Sequence, residues 1–364
     1  MPAALLIASC SWMAASWWNR ASPRLCWQTL NTNAPAPSCA GSWNNTRSTT
    51  MLSPSFPTFL GAESSTDPAA VKTPYAFLGI PYGPSYEPWE LSAAAGGANM
   101  VRAAAVAHAY SRFLTHWNFD IGEPQFEDGK PNLTDLGNIA GNVRDPECIV
   151  DDAAAVLGPL VKAGVVPVVI GGLDSVPPML VAPFEGQEDI NVLQIDAHID
   201  FRDEINGRRD GFSSPMRRLR DYACVHDLVQ VGARSIGSAR RQEVEAALKA
   251  GNRIVTAWDV HENGAKSLAE SFDLSRRWVV SLDCDGMDPS VAPGVGAIEP
   301  GGLTFMQTAI LLNHLARKNR LAGVVFTEYQ PARDVGDATA HVIARLILNI
   351  LGLQRDPQAI AMQR

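Results

Sequence analysis

The sequence lacks the cysteine patterns that stabilise small secreted domains or bind zinc. Its six cysteines include no CxxC pair and follow no regular spacing, which argues against a disulfide framework and against a cysteine-based zinc site. The sequence also lacks an apolar run of the roughly 18 to 20 residues that a membrane-spanning helix needs. These absences favour a globular protein that does not span a membrane.

Positive charge is also scarce. The chain has 30 Lys and Arg residues against 38 Asp and Glu residues, a formal net charge of −8. A protein that binds nucleic acid or an anionic membrane surface usually presents a basic patch, so this composition predicts neither partner. With 46% hydrophobic and 19% charged residues, the chain has the composition of an ordinary globular enzyme, and we expect it in the cytoplasm.

Acidic residues are absent from the beginning of the chain. Residues 1–62 contain no Asp or Glu, and they carry a few arginines among many Ser, Ala and Asn residues. This composition is typical either of a targeting segment or of upstream sequence joined to a chain that begins at Met51. We therefore predict that residues 1–70 are an unstructured or wrongly assigned N-terminal extension, and that a single domain spans residues 71–355.

From residue 75 onward, short apolar runs alternate with stretches of helical spacing. The runs are almost continuously apolar, which is typical of parallel strands with helices on both faces. We predict a single three-layer α/β/α domain with a mostly parallel central sheet. The predicted strands are 75–80, 165–170, 191–195, 228–233, 252–258, 277–282 and 322–327, and the main predicted helices are 98–114, 151–163, 238–250, 304–318 and 336–351.

Acidic residues and one histidine directly follow four of these strands. The segments are GGLDS (171–175), DAHID (196–200), DCD (283–285) and Glu328. In open α/β sheets, ligands bind outside the carboxyl ends of the strands, so we expect these side chains to lie close together. Residues two apart in an extended chain point the same way. The two aspartates of DCD can therefore face one site, and so can the first, third and fifth residues of DAHID.

This cluster of side chains predicts bound cations. Its members are Asp174, Asp196, His198, Asp200, Asp283 and Asp285. Two carboxylates 4 Å apart repel each other by about 4 kcal/mol at an effective dielectric constant of about 20, so such a group is tolerable only if cations neutralise it. Mixed carboxylate and imidazole ligands suit Mn²⁺ and related divalent ions. There are enough ligands for two ions if one or two carboxylates bridge them.

Through these motifs the sequence resembles the ureohydrolases, the family of arginase and agmatinase, over about residues 75–350. The agmatinase branch is the more similar of the two, and we expect the arginase-like fold. The segments that carry the resemblance are GIPYG (79–83), VVIGGLDSV (168–176), LQIDAHIDFRD (193–203), SLDCDGMDPSVAPGVGAIEPGGLT (281–304) and FTEYQPARD (326–334).

The resemblance implies a site with two divalent metal ions, Mn²⁺ or, in some members, Ni²⁺. Position by position, one ion would be held by Asp174, Asp196, Asp200 and Asp283, and the other by Asp196, His198, Asp283 and Asp285. A hydroxide between the ions would attack the guanidinium carbon and release urea and an amine. Asp200 would orient the hydroxide by a hydrogen bond. Glu328 would pair with the cationic guanidinium, whose parallel N–H groups suit a carboxylate.

The chain departs from the family pattern at several positions. Leu173 and Asp174 stand where the family has Asp and His, which adds one negative charge to the ligands. Phe212 stands where the family usually has a histidine that moves protons to the leaving amine. Gly83 and Asn138, the last residue of a predicted DLGN turn, replace family aspartates. These changes indicate either a changed substrate pocket or a weakened enzyme.

Two functions therefore remain open. The first is a dinuclear-metal hydrolase that acts on agmatine, another guanidino compound, or a small substituted guanidine or biguanide such as metformin. The second is a weakly active or non-catalytic subunit that supports an active partner. The resemblance further implies a homo- or hetero-oligomer, a trimer or a hexamer. We expect Arg217 and Arg218 at the surface, and we expect Cys284 to point away from the metals.

Overall fold

The computed structural model describes residues 51–87, 90–91, 93–141 and 147–353. Its strands are β1 (Leu52–Ser53), β2 (Glu63–Ser64), β3 (Tyr75–Ile80), β4 (Trp117–Asn118), β5 (Glu123–Pro124), β6 (Leu133–Ile139), β7 (Val166–Gly171), β8 (Ile190–Ile195), β9 (Val225–Ala233), β10 (Arg253–Thr256), β11 (Arg277–Asp283) and β12 (Leu321–Thr327). Its α-helices are α1 (Gly97–Ala107), α2 (Cys148–Lys162), α3 (Pro177–Val181), α4 (Pro215–Leu219), α5 (Arg241–Lys249), α6 (Ala257–Asn263), α7 (Ala265–Glu270), α8 (Phe305–Arg317) and α9 (Ala338–Leu353).

One large sheet organises the domain. Its strand order is β1-β6-β3-β7-β12-β11-β8-β9-β10, and β2 also pairs with β6. Among these pairs only β1–β6 is antiparallel. Strands β4 and β5 form a separate antiparallel pair. The mostly parallel sheet predicted from the continuous apolar runs is confirmed.

Helices cover both faces of the sheet, as the strand composition predicts. Along β3, Tyr75 and Phe77 belong to one cluster of buried side chains, and Leu78 and Ile80 to the other, because residues on a strand alternate between faces. The first cluster includes side chains from α1, α7, α8 and α9, and the second includes side chains from α2, α3, α4 and α5. The predicted three-layer arrangement is therefore also confirmed.

Residues 51–70 belong to the fold, contrary to the prediction that the first 70 residues are an extension. Leu52 pairs with Ile139 of β6, and Phe59 is fully buried with its ring stacked on Phe77 at a centroid distance of 4.9 Å. The sequence does not predict that this segment pairs with the sheet, because its strands have two residues each and carry no periodic pattern. Residues 1–50 and 354–355 lie outside the described residues, so the prediction for them stays a prediction.

The DLGN segment forms part of strand β6 and not the predicted turn. Asp135 is fully buried, and its carboxylate accepts two hydrogen bonds of 2.8 Å from the guanidinium of Arg102. Because this buried charge is paired with Arg102, Asp135 can be accommodated within a buried strand. Gly137 has a φ of +73°, which accommodates the local irregularity in the pairing of β3 and β6.

The helix predicted at 98–114 ends earlier, at Ala107. Ala109 adopts a left-handed conformation with a φ of +54°, and a short 3₁₀ turn follows at Tyr110–Arg112. A left-handed residue cannot continue an α-helix.

Within the described part of the chain, no helix combines the length and the apolar composition needed to cross a bilayer.

Candidate active site

The predicted site residues lie at the carboxyl ends of four adjacent strands. In the sheet, β7, β12, β11 and β8 are consecutive neighbours. Asp174 follows β7, Glu328 follows β12, Asp283 ends β11, and the DAHID segment follows β8. Neighbouring strands are about 4.8 Å apart, so residues distant in sequence converge at this edge.

Two glycines permit the close approach of these strand ends. A Cβ atom on Gly286 would lie 2.6 Å from the backbone N of Asp196. A Cβ atom on Gly172 would lie 2.3 Å from the carbonyl O of Pro81. Both distances are far below van der Waals contact with backbone that cannot move aside, so only glycine fits at these two positions.

Two groups of three side chains bring ligand atoms together. The first group is Asp196, His198 and Asp285, and the second is Asp174, Asp196 and Asp200. Within each group the atoms able to bind a metal lie within 4.8 Å of one another, and Asp196 belongs to both groups. Carboxylate oxygens and an imidazole nitrogen at this spacing have the geometry and the chemistry to bind divalent ions.

The imidazole of His198 lies between two carboxylates. Its Nδ1 atom is 3.2 Å from Oδ1 of Asp196 and 3.3 Å from Oδ2 of Asp285. The backbone N–H of His198 donates to Asp196 Oδ1 at 2.6 Å. The backbone N–H of Asp285 donates to Asp283 Oδ1 at 2.9 Å, which places Asp283 beside Asp285.

Asp174 and Glu328 are held together on the other side of the cluster. The backbone N–H of Asp174 donates to Glu328 Oε1 at 2.9 Å, and the hydroxyl of Thr327 donates to Asp174 Oδ1 at 2.6 Å. The other oxygen of Asp174, Oδ2, is buried and receives no hydrogen bond from an N–H or hydroxyl group of the described residues. A buried anionic oxygen without a donor is costly unless a cation compensates it, which fits this carboxylate as a metal ligand.

Burial and mutual repulsion disfavour the ionised forms of the clustered carboxylates. Both effects raise the aspartate pKa above its usual range at Asp174, Asp196, Asp200 and Asp283. Burial likewise raises the pKa of Glu328 to about 7. Burial works in the opposite direction on the pKa of His198, but hydrogen bonds to the flanking carboxylates raise it to about 11. Bound cations would relieve the repulsion that these shifts reflect.

Two site residues have unusual backbone conformations. Asp200 has a φ of +40° and Glu328 a φ of +58°. Side chains other than glycine adopt this left-handed region at a cost of about 1–3 kcal/mol each, and such residues cluster at functional sites. At Glu328 the backbone N–H donates to the carbonyl O of Gly172 at 2.8 Å, which helps to hold the conformation.

A buried chain of amides supports Asp196, and sequence reasoning missed it. The Gln194 amide donates to Asp196 Oδ2 at 2.6 Å, Gln230 donates to Gln194 at 2.6 Å, and Asn252 donates to Gln230 at 2.7 Å. Gln194 and Gln230 are direct partners in the register of β8 and β9. In the sequence, Gln194 and Gln230 are visible only as polar residues within mostly apolar strands. That they contact each other could be predicted only from the register of β8 and β9.

The cluster lies in a cavity of about 470 Å³ that is lined by Asp174, His198, Asp200, Asp283, Asp285 and Glu328. Leu173 and Phe212, where the resemblance implies an Asp and a His, also line it. Phe212 packs edge-on against the ring of Tyr86 at 4.7 Å, so an aromatic pair lies where the resemblance implies an imidazole.

Charged residues outside the cluster complete the cavity wall, and the sequence analysis did not identify them. They are Glu90, Arg202, Glu243 and Arg333. Arg202 follows Asp200 by two positions, a spacing that could have drawn attention to it. The position of Arg333 depends on the loop that follows β12, for which the sequence offers no periodic signal.

The remaining departures and expectations lie outside the cavity lining. A Cβ atom on Gly83 would lie 2.3 Å from Ser175 Oγ, and Asn138 accepts a 2.7 Å hydrogen bond from Arg102. Cys284 is fully buried among apolar side chains, as expected. The exposed carboxylate of Asp203 pairs with Arg217 at 3.4 Å and with Arg218 at 3.0 Å.

The sequence and the fold both match proteins of known families. The model of the arginase family matches residues 74–352. The N(1)-aminopropylagmatine ureohydrolase of Thermus thermophilus is 34% identical over 247 residues, which cover 67% of this chain and 80% of that protein. The formimidoylglutamase of Halalkalibacterium halodurans is 30% identical over 258 residues, covering 67% and 77%. The solved structure of the agmatine ureohydrolase of Thermoplasma volcanium has a TM-score of 0.66 at 24% identity and covers 81% of this chain and 94% of its own.

Proposed function

This chain belongs to the arginase family and is a hydrolase of C–N bonds in linear amidines, and we propose that it cleaves a guanidino compound into urea and an amine with two divalent metal ions. The observation that carries the proposal is the pair of three-residue ligand groups that share the buried Asp196 and whose other members line one cavity. Ligand groups that share one carboxylate suit two neighbouring ions.

The aspartates and His198 would hold the two ions. Asp174 and Asp200 would bind one ion, and His198 and Asp285 the other, with Asp196 and Asp283 between them. When bound, such ions lower the pKa of water and so supply a nucleophile near neutral pH. The oxygen-rich ligands favour Mn²⁺, with Ni²⁺ as the second candidate.

Glu328 would bind and orient the guanidinium group. Its Oε1 atom already accepts the Asp174 N–H at 2.9 Å, which fixes the carboxylate beside the cluster. The planar guanidinium presents parallel N–H groups that a carboxylate accepts as a pair. A cationic substrate also favours the ionised form of Glu328, whose pKa burial raises to about 7.

Asp200 would orient the attacking water by accepting its hydrogen bond. This carboxylate lines the cavity and belongs to the ligand group that includes Asp174 and Asp196. The aromatic side chain of Phe212 cannot carry a proton to the leaving amine. We propose that the solvent in the cavity delivers this proton.

Urea release tests the proposal directly. Purified protein loaded with Mn²⁺ or Ni²⁺ is assayed on agmatine, guanidinobutanoate, arginine, guanidine, dimethylguanidine and metformin, with metal content measured by elemental analysis. We expect urea from at least one compound and close to two ions per chain. Glu328→Gln, which keeps the acceptor for the Asp174 N–H, should lower kcat/KM by about 100-fold while the metal stays bound. Glu245→Gln, in an exposed pair with Arg241 on α5, is the matched control.

A second candidate is a subunit that supports an active partner of the same family. The observation that favours it is Phe212, which lines the cavity at the position of the expected imidazole and packs against the ring of Tyr86. Metal content close to zero and no urea from any compound would favour this candidate. Light scattering on the purified chain would at the same time test the expected trimer or hexamer.

A further inference from the structure

The charged side chains of the cavity form two sets. The inner set comprises the clustered carboxylates, His198 and Glu328. The outer set comprises two acids and two arginines, namely Glu90, Glu243, Arg202 and Arg333. The inner set would bind the metals and the guanidinium, so the outer set decides which group the cavity accepts at the other end of a substrate.

The two outer acids are already engaged by protein groups. Glu90 Oε2 accepts the backbone N–H groups of Tyr86 and Glu87, both at 2.9 Å. Glu243 Oε2 accepts the backbone N–H of Arg240 at 2.7 Å at the start of α5, and its Oε1 is 3.8 Å from Nε of Arg202. These hydrogen bonds hold both carboxylates in local structure through one oxygen each, and the second oxygen of Glu243 is in the ion pair with Arg202.

The two outer arginines retain donors. Among the described residues, Arg202 forms one ion pair, that of 3.8 Å with Glu243, which is longer than a hydrogen bond. Arg333 is exposed and donates a weak hydrogen bond, of 3.4 Å, to the carbonyl O of Gly296. A guanidinium has five N–H donors in a fork that matches a carboxylate, so within the described part of the chain most donors of both side chains remain for a ligand.

The two arginines reach the cavity from different sides. Arg202 lies in the loop after β8 and Arg333 in the loop after β12, and β11 separates these strands in the sheet. The carboxyl end of β11 carries Asp283, which lines the same cavity. The arginines are therefore placed to meet one end of a molecule whose other end reaches the cluster.

On the premise of the proposed function, we infer that the substrate is a linear guanidino acid, whose guanidinium meets Glu328 and whose terminal carboxylate is bound by Arg202 and Arg333. The same two guanidinium groups would repel the ammonium end of a diamine-type substrate such as agmatine. A cavity of about 470 Å³ accommodates a small linear molecule of this kind.

Three guanidines that differ in the terminal group test the inference: 4-guanidinobutanoate with a carboxylate, agmatine with an ammonium group, and n-butylguanidine with a methyl group. In the Mn²⁺-loaded protein, kcat/KM for the acid should exceed that for agmatine by about tenfold or more. Arg202→Gln and Arg333→Gln should each lower the ratio of kcat/KM for the acid to that for n-butylguanidine by about tenfold, the loss expected for a hydrogen bond between charged groups. Arg241→Gln, which changes a 92% exposed arginine on α5 outside the cavity, should leave the ratio unchanged.

Calorimetric binding of the same three compounds separates this inference from the proposed function. If no compound releases urea but the acid binds more tightly than n-butylguanidine, and both variants abolish the difference, the carboxylate site is supported and the hydrolase proposal fails. If agmatine is the preferred substrate, or if neither variant changes the ratio of acid to neutral compound in turnover or binding, the inference is overturned while guanidino hydrolysis stands. The absence of both turnover and selective binding would overturn both.

Discussion

At the scale of single residues, Asp283 shows most clearly what a bound cation would compensate at the proposed site. Its pKa is raised well above the usual range by burial and by the charges of Asp285, Asp196 and Asp174, and all of these act in the same direction. An aspartate with a raised pKa destabilises the folded state once the pH exceeds the ordinary aspartate value, because the unfolded chain releases that proton more readily. The carboxylate therefore costs stability unless a bound cation compensates it.

Asp283→Asn should consequently stabilise the metal-free protein while weakening metal binding. The amide keeps an oxygen for the 2.9 Å hydrogen bond from the Asp285 N–H but removes the charge. We expect the free energy of unfolding of the chelator-treated variant to exceed that of the parent by about 1 kcal/mol or more at pH 8. The difference should shrink at pH 4, where the unfolded aspartate also holds its proton. Urea unfolding at the two pH values measures this, and bound Mn²⁺ should fall at least tenfold in the variant.

The control for this variant is Asp221→Asn, which removes a 63% exposed carboxylate paired with Arg218 at 3.3 Å. Surface pairs of this kind contribute little, so in chelator this variant should be as stable as the parent protein at both pH values. Equal stability of Asp283→Asn and the parent protein without metal would show that the charge of Asp283 does not destabilise the folded state.

At the scale of secondary-structure elements, the buried parallel strands were predictable from sequence and the short ones were not. Strands β3, β8 and β12 are six or seven residues long and mostly apolar, and burial on both faces makes such runs visible. The two-residue strands β1 and β2 have no such signal, because their contribution depends on the partner strand β6. The spacing within DAHID and DCD predicted the convergence of the acids, whereas the supporting contact of Gln194 and Gln230 depends on the register of two strands.

Phe59→Ala tests whether residues 51–70 are part of the folding unit. The ring is fully buried and stacked on Phe77, so its removal leaves a cavity in the core and should cost about 3–5 kcal/mol. Phe119→Ala, at a ring that is 89% exposed, is the matched control and should change stability by less than about 0.5 kcal/mol. Denaturant unfolding of both variants provides the measurement. Equal losses in the two would mean that the segment packs only loosely on the sheet.

The contact between α9 and the turn after α1 should make stability sensitive to acid. His341 on α9 hydrogen-bonds the Tyr110 hydroxyl at 2.9 Å, and its ring lies 3.8 Å from the ring of His108. Burial, then His108 and Arg345, lower the pKa of His341 to about 4. Between about pH 6.5 and pH 4 the unfolded chain therefore binds a proton that the folded chain does not, so this histidine makes the protein less stable as the pH falls.

His341→Gln should remove this part of the pH dependence. The amide can still hydrogen-bond Tyr110 but does not titrate. We expect the parent protein to lose stability relative to the variant as the pH falls from 7 to 4, with no divergence between pH 7 and 8. Thermal unfolding of both proteins in chelator at each pH gives the comparison, and parallel curves across the acid range would contradict the role of His341.

At the scale of the whole molecule, metal binding at the proposed site would be coupled to the stability of the central sheet. The proposed ligand residues lie at or just after the carboxyl ends of strands β7, β11 and β8. Glu328 follows β12, which lies between β7 and β11 in the sheet. A cation that binds them binds only the folded chain, since the unfolded chain does not bring these residues together. Binding of this kind stabilises the folded state by an amount set by the metal concentration and its Kd.

Removal of metal should therefore lower the melting temperature of the intact chain, and Mn²⁺ should restore it. At a free Mn²⁺ concentration 100 times the Kd the stabilisation is about 2.7 kcal/mol, which corresponds to a shift of several degrees in a protein of this size. Mg²⁺, which favours oxygen ligands in octahedral geometry and gives up water reluctantly, should produce a smaller shift at the same concentration. The shift should disappear in Asp196→Asn, because Asp196 belongs to both ligand groups. A melting temperature that ignores chelator and Mn²⁺ alike would show that the clustered carboxylates are neutralised by protons and not by metal.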